Sequence, residues 1–344
     1  MKNHAPEVWL CLSGGNALGA YHAGVYQALE EAGRPPARIA GASIGAVVGA
    51  LIAGNPPDAR MRALHAFWKT AQSKSLLPPS LSPLPDTFSR WSSLLQTLTQ
   101  GRPGLFRPTL QGAWSLMPFA WTGRPSMFDT APMRRTLLEL IDFDLLKNGP
   151  VRLQVTAVDV ETGEDVVFDS HAGGVEVEHL MASTAFPVAF PPVSIEGRVY
   201  VDPGVSANLP IAPLLPTSEA DEVLCLAVDL VDARGRCPRS LDNAIQRTQE
   251  LVFSSQSRHA LRAALTRSPD AFPNQIAIIH LSYKGHQDET ALKFFEFSEE
   301  SINRRWNAGK ADGEAIFAAL SHSKTSPISG LYRLADGGIV PLSF

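Results

Sequence analysis

The order of elements across residues 8–53 constrains this chain more than any other feature. A short apolar run at 8–12 is followed by a Gly-rich turn. Residues 20–32 (AYHAGVYQALEEA) then carry apolar side chains at helical spacing, and Gly33 ends the pattern. A second apolar run at 38–42 meets Ser43, and residues 44–53 are almost wholly small and apolar, which predicts a helix buried on all sides. Strand, helix, strand, helix in this order predicts a parallel sheet covered by helices.

The alternation resumes with strand patterns at 151–158, 165–168, 198–201, 222–228 and 275–283, and helical patterns at 241–267 and 299–320. Between them, residues 73–129 are rich in proline, serine and large apolar side chains, including Trp91, Phe106, Trp114, Phe119, Trp121 and Phe128. No repeat and no linker divides the chain. It reads as a single α/β domain over 5–344, with an insertion or lid at about 73–129 and a less recognisable helical and strand portion at about 240–344. A hydrophobic content of 44% suffices for one large core, and a net charge of −4 argues against a general nucleic-acid binder. Of the three cysteines, Cys11 and Cys225 sit inside strand patterns and read as buried thiols; Cys237 completes an odd count that suits no disulfide framework. No run has the length of a signal peptide's apolar core or of a membrane span, so a cytoplasmic location is expected.

Three segments carry chemistry. Gly41-Ala42-Ser43-Ile44-Gly45 is G-x-S-x-G between a predicted strand and a predicted helix. A nucleophilic serine on such a turn needs small flanking residues, because the backbone doubles back sharply. The helix that follows points its N–H groups at the charge developing in acyl transfer. The pentapeptide alone also suits a tight turn that packs a helix closely on a sheet. Ser13-Gly14-Gly15-Asn16-Ala17-Leu18-Gly19 is a second glycine-rich turn after a strand. Its spacing fits neither the dinucleotide fingerprint nor the P-loop, leaving an oxyanion-type loop or a plain turn. Asp202 ends the strand at 198–201 and enters Pro203-Gly204-Val205-Ser206-Ala207-Asn208-Leu209-Pro210. None of the nine histidines lies in a loop motif of the kind a Ser-His-Asp triad suggests, and His22 falls on the first helix as a partly buried position. An aspartate partly withdrawn from water can serve as the base instead, or Asp202 can simply form the turn.

Together LSGGNALGAYHAGVYQAL, IAGASIGAVVGALIAG and MASTAFPVAFPPVSIEGRVYVDPGVSANLP resemble, in order, the blocks of the patatin-like phospholipases, and LIAGNPPDARMRALHAFW looks closest to a bacterial subgroup. The resemblance spans about residues 8–210. It implies a three-layer α/β/α sandwich with a mostly parallel central sheet. It also implies a Ser43–Asp202 dyad without histidine, an acyl-enzyme intermediate, and an oxyanion hole from the N–H groups of Gly14, Gly15 and Asn16. Gly19, Gly41, Gly45, Gly204 and Asn208 support the motifs. Asn16 stands where the family usually has a third glycine, Asp202-Pro203-Gly204 where it has Asp-Gly-Gly, and Leu18 at a commonly basic position.

The resemblance implies a lipid or ester substrate and no cofactor; no metal-ligand cluster is seen in the sequence. Residues 86–101 place Phe88, Trp91, Leu94, Leu95 and Leu98 on one helical face. Such a helix packs on the domain as an ordinary amphipathic element, or else covers the site or lies on a membrane as a peripheral contact. Arg247, Arg258, Arg262 and Arg267 read as a solvated helix face, with anionic headgroups as the alternative. The expected activity is lipid acyl hydrolysis. A lipid-binding protein with impaired chemistry, or an acyltransferase, are the alternatives.

Overall fold

The computed structural model describes residues 6–72, 97, 99–109, 126–215, 222–266, 275–286, 289–322, 329–335 and 338–342. The strands of its main sheet are β1 Glu7–Leu12, β2 Pro36–Ala42, β3 Arg152–Asp159, β4 Asp165–Asp169, β5 Val193–Ile195, β6 Arg198–Val201, β7 Glu222–Asp229, β8 Gln275–Ser282, β9 Gly330–Ala335 and β10 Gly338–Pro341. They lie in the order β10-β9-β8-β7-β1-β2-β3-β6-β5, with β4 also paired to β3. The centre, from β9 to β3, is parallel, and antiparallel strands finish both edges. This is the mostly parallel sheet that the sequence predicts.

Strands buried on both faces read as continuous apolar runs, and β1, β3 and β7 are buried after their first residue. Their side chains alternate between two cores. Leu10, Leu12, Ile39, Leu153, Leu226 and Ile279 pack on α1 (Ala20–Glu31), α2 (Ile44–Ala53) and α3 (Pro57–Ala71). Trp9, Cys11, Ala40, Cys225 and Ile278 pack on residues 209–215 and on α7 (Leu241–Thr266). Sheet and helices therefore form three layers. Other helices are α4 Ala131–Leu140, α5 Phe143–Asn148, α6 Val177–Ser183 and α8 Glu299–His322. Cys11 and Cys225 are buried free thiols, and Cys237 is exposed. Among the described residues no helix is long and apolar enough to cross a membrane.

α8 lies across α1 at a contact made possible by glycine. A Cβ on Gly24 would stand 1.9 Å from the Trp306 carbonyl oxygen, and one on Gly309 would stand 2.0 Å from that of Tyr21. The amphipathic face expected at 86–101, with Phe88, Trp91, Leu94, Leu95 and Leu98, lies outside the described residues, as do Trp114, Phe119, Trp121 and Arg267. Phe106 and Phe128 are described and buried.

Candidate active site

β1 and β2 are parallel neighbours, so the turns that follow them emerge at the same edge of the sheet. Ser43 occupies the turn after β2 with φ 53° and ψ −124°, in the left-handed region. Its carbonyl accepts the first hydrogen bonds of α2, from Ala46 and Val47, at 3.0 and 3.2 Å. Serine at a helix start commonly caps with its hydroxyl, yet the Ser43 side chain makes no cap bond. The glycines on either side are required by two different approaches. A Cβ on Gly41 would sit 2.5 Å from the Ala46 nitrogen, across the turn, whereas one on Gly45 would sit 2.2 Å from the Leu12 carbonyl oxygen at the end of β1.

Asp202 arrives from the other side. β6 runs antiparallel to β3 and overlaps only its carboxyl end, with Val201 opposite Val158, while Ala42 is opposite Thr156. The residues that follow, Ser43 and Asp202, thus converge on Ala157 from its two flanks. Ser43 and Asp202 line the same cavity, with the Ser43 hydroxyl near enough to the Asp202 carboxyl to favour its charged form. The carboxyl is 2% exposed, and burial pushes its pKa up to about 7, with the Ser43 hydroxyl and the Gly204 N–H pulling partly in the other direction. Pro203 fits the turn it opens. It occupies the first position of a 3₁₀ turn (Pro203–Val205), where no N–H is needed, and Asp202 Oδ1 accepts the Gly204 N–H at 2.7 Å.

The glycine-rich turn after β1 meets the same point. Asn16 has φ 47°, a conformation that glycine adopts freely and asparagine tolerates. Gly14 and Gly15 leave no room for side chains: a Cβ would lie 2.5 Å from Asn208 Oδ1 at the first and 2.6 Å from Leu230 Cδ1 at the second. Gly19 similarly lies against Ile44. One expectation changes. The Gly14 N–H donates to the Asn208 carbonyl at 3.0 Å and is committed to joining two loops. It belongs to the scaffold of the site, because the Asp202 loop returns past β1 and needs a backbone partner there.

Several residues with no assigned role in the sequence hold this arrangement. Ser183, fully buried at the end of α6, accepts the Ser43 N–H with its Oγ at 2.9 Å. Gln256 of α7 receives the Asn208 N–H and donates to the Gly204 carbonyl, both at 3.0 Å, so the far helix fixes the Asp202 loop. Ser13 Oγ accepts the Leu230 N–H at 2.9 Å. His22 is wholly buried, its Nε2 donates to the Ser13 carbonyl at 2.9 Å, and burial lowers its pKa to about 4. Ser183 stands inside the MASTAFPV block, where a small polar residue ahead of the aspartate was a readable signal; Gln256 had none.

Ser43, Asp202, Gly14, Gly15, Asn16, Gly204 and Asn208 line one cavity of about 180 Å³. The rest of its wall is mainly apolar. Phe106 packs on Phe128 and Phe190 with ring centroids 4.9 and 5.3 Å apart, and Phe253 of α7 packs on Phe294 at 5.6 Å. Among the described residues no histidine lines it and no cluster of metal-ligating side chains occurs. Arg247 is only partly exposed and is engaged within the protein: it pairs with Glu250 at 3.1 Å and donates to the Ala233 carbonyl at 2.6 Å.

Comparison with known proteins agrees with the motifs. An uncharacterised NTE family protein of Mycobacterium bovis is 27% identical over 210 residues, which cover 61% of this chain and 46% of that protein. Patatin-like phospholipase domain-containing protein 6 of Homo sapiens is 41% identical over 69 residues, 20% of this chain and 5% of that protein. The chain thus spans less than half the length of the curated relatives it matches. Among solved structures, VipD from Legionella pneumophila aligns at a TM-score of 0.42 and 15% identity, covering 90% of this chain and 66% of that one. Human GIVD cytosolic phospholipase A2 aligns at 0.40 and 11%, covering 90% and 58%. A profile described as patatin phospholipase matches residues 238–327. With the patatin-like phospholipase profile matching residues 10–215, from β1 through the Asp202 loop, the chain belongs to the patatin-like phospholipase family.

Proposed function

We propose that this protein is a lipid acyl hydrolase in which Ser43 is the nucleophile and Asp202 its base. The observation that carries this reading is the convergence of Ser43 and a buried Asp202 carboxyl on one apolar cavity, the hydroxyl close enough to favour the carboxylate. A carboxylate in water is a weak base, but one whose pKa stands near neutrality accepts a hydroxyl proton more readily and is still largely ionised above it. Ser43 attacks the ester carbonyl as Asp202 takes its proton. The alcohol leaves with that proton, and the acyl-enzyme forms. Water, deprotonated by Asp202, then attacks the acyl carbonyl, and the fatty acid is released as Asp202 returns the proton to the departing Ser43 oxygen. The apolar wall of Phe106, Phe190, Phe253 and Phe295 suits the acyl chain. With the Gly14 N–H engaged, the oxyanion donors are the N–H groups of Gly15 and Asn16 at the start of the 3₁₀ turn.

The substrate lies in an aggregate, so the mouth meets an interface. Phe186, Val188 and Val205 are exposed beside the cavity, as is Val252 next to Phe253, and they support a peripheral contact with lipid. The test is hydrolysis of a p-nitrophenyl ester series and of detergent-dispersed phospholipid by wild type, Ser43→Ala and Asp202→Asn. Activity falling by about a hundredfold or more in both variants, with far-ultraviolet circular dichroism unchanged, is the expected result. Full activity in Asp202→Asn would sink the dyad. No turnover by wild type, together with no labelling by a fluorophosphonate, would favour a lipid-binding role. Acyl transfer to added glycerol would mark an acyltransferase.

A further inference from the structure

A second cavity, of about 480 Å³, opens beyond the carboxyl ends of β7, β8 and β9 and shares no lining residue with the first. Four permanent cations line it: Arg234 after β7, Arg258 on α7, Lys284 after β8 and Arg333 on β9. Two carboxylates face them, and both already accept hydrogen bonds. Asp232 takes the Ser282 hydroxyl at 2.9 Å and the Arg234 backbone N–H at 2.7 Å; Asp312 takes the Tyr21 hydroxyl at 2.6 Å. Among the described residues none of the four cations forms an ion pair, and Arg258 has a single hydrogen bond, to Ser254 Oγ at 3.3 Å. His280, in register with Arg333 on the neighbouring strand, has its Nε2 3.6 Å from the buried Asp229 carboxylate.

On the cavity wall four cations stand against two carboxylates, an excess of two positive charges, with the Asp229 carboxylate lying behind His280. A phosphomonoester carries about −1.5 to −2 at neutral pH and offers three acceptor oxygens, which matches that excess. Guanidinium groups grip such an anion through paired N–H donors, and a lysine adds a point charge. The volume falls in the range of small-molecule sites, roughly 300–1,000 Å³, and so admits an organic group beside the phosphate. We propose that this cavity binds a phosphomonoester, either a soluble one or the headgroup of an anionic lipid.

The experiment uses the full chain and two arms. Isothermal titration with glycerol 3-phosphate and with inorganic phosphate reads the soluble form. Flotation with phosphatidylcholine vesicles, with and without phosphatidic acid, reads the lipid form. The expected result is saturable binding that weakens about tenfold or more in Arg258→Gln/Arg333→Gln and in Lys284→Glu, and that is unchanged in Ser43→Ala. Lys284 is exposed, so its variant tests the charge without disturbing the core. Binding in the first arm assigns a free phosphomonoester, and binding only to phosphatidic acid vesicles assigns a headgroup. Absence of binding in both arms, or binding indifferent to both variants, overturns the proposal.

Discussion

Burial sets the working range of Asp202. With its pKa raised to about 7, the carboxyl is ionised, and on the proposed mechanism able to act as base, only towards the alkaline side. The pH profile of kcat/KM is therefore expected to rise through an acid limb near 7. A limb at about 4 would show that the Asp202 carboxyl is hydrated in solution. The same shift acts on stability. Because the folded pKa lies above the unfolded one, the carboxyl favours the native state below about pH 4, and this contribution is lost as pH rises through about 7. An asparagine side chain cannot ionise, so Asp202→Asn is expected to gain thermal stability relative to wild type between about pH 4 and about pH 8, read as the difference in Tm. Asn16 is the other residue whose identity matters locally. Its φ of 47° admits glycine at no steric cost and opposes a β-branched side chain. Asn16→Gly should retain ester hydrolysis within a few-fold, and Asn16→Val should lose most of kcat while still folding. Equal activity in the two would remove Asn16 from the oxyanion turn.

Among the elements, α1 follows the glycine-rich turn after β1 directly, and α8 holds it in place. The crossing rests on backbone approaching backbone at Gly24 and Gly309. Even one methyl group at Gly24 has to displace the Trp306 carbonyl, so Gly24→Ala is expected to cost about 1–3 kcal/mol or more, as overpacking does, and to lower the urea midpoint accordingly. α7 acts at greater distance, through Gln256 on the Asp202 loop and Phe253 on the cavity wall. The sequence marks α7 and α8 as helices, but not what they touch. α3, which opens with Pro57 at its first turn, and the short strands β5, β9 and β10 have no decisive pattern in the sequence, because short or weakly patterned segments take their structure from what they pack against.

For the whole molecule, the second half of the chain completes the first. Arg305 of α8 is 1% exposed and donates to the Ala17 carbonyl, within the glycine-rich turn, at 3.3 Å, and to the Glu296 carbonyl at 2.8 Å. It also lies 3.5 Å from Glu289 and 3.7 Å from Glu296, both buried carboxylates. Arg305→Met leaves those charges undercompensated and is expected to cost about 3–5 kcal/mol. If the variant folds, kcat should fall more than KM rises, since the turn loses its brace and the acyl cavity remains. What the sequence determined by itself is local: the alternation of strands and helices, the elbow at Ser43, the glycine-rich turn and the aspartate after β6. Each depends on side-chain period, on glycine's tolerance of close approach, or on the end of a strand, and these operate over a few residues. What only the tertiary structure decided is who meets whom. The Gly14 N–H is taken by Asn208, Ser183 supports the elbow from α6, Gln256 reaches the Asp202 loop from α7, and four cations gather beyond β7, β8 and β9. These contacts join residues far apart in the chain, and their formation depends on the packing of three layers, which no local pattern encodes.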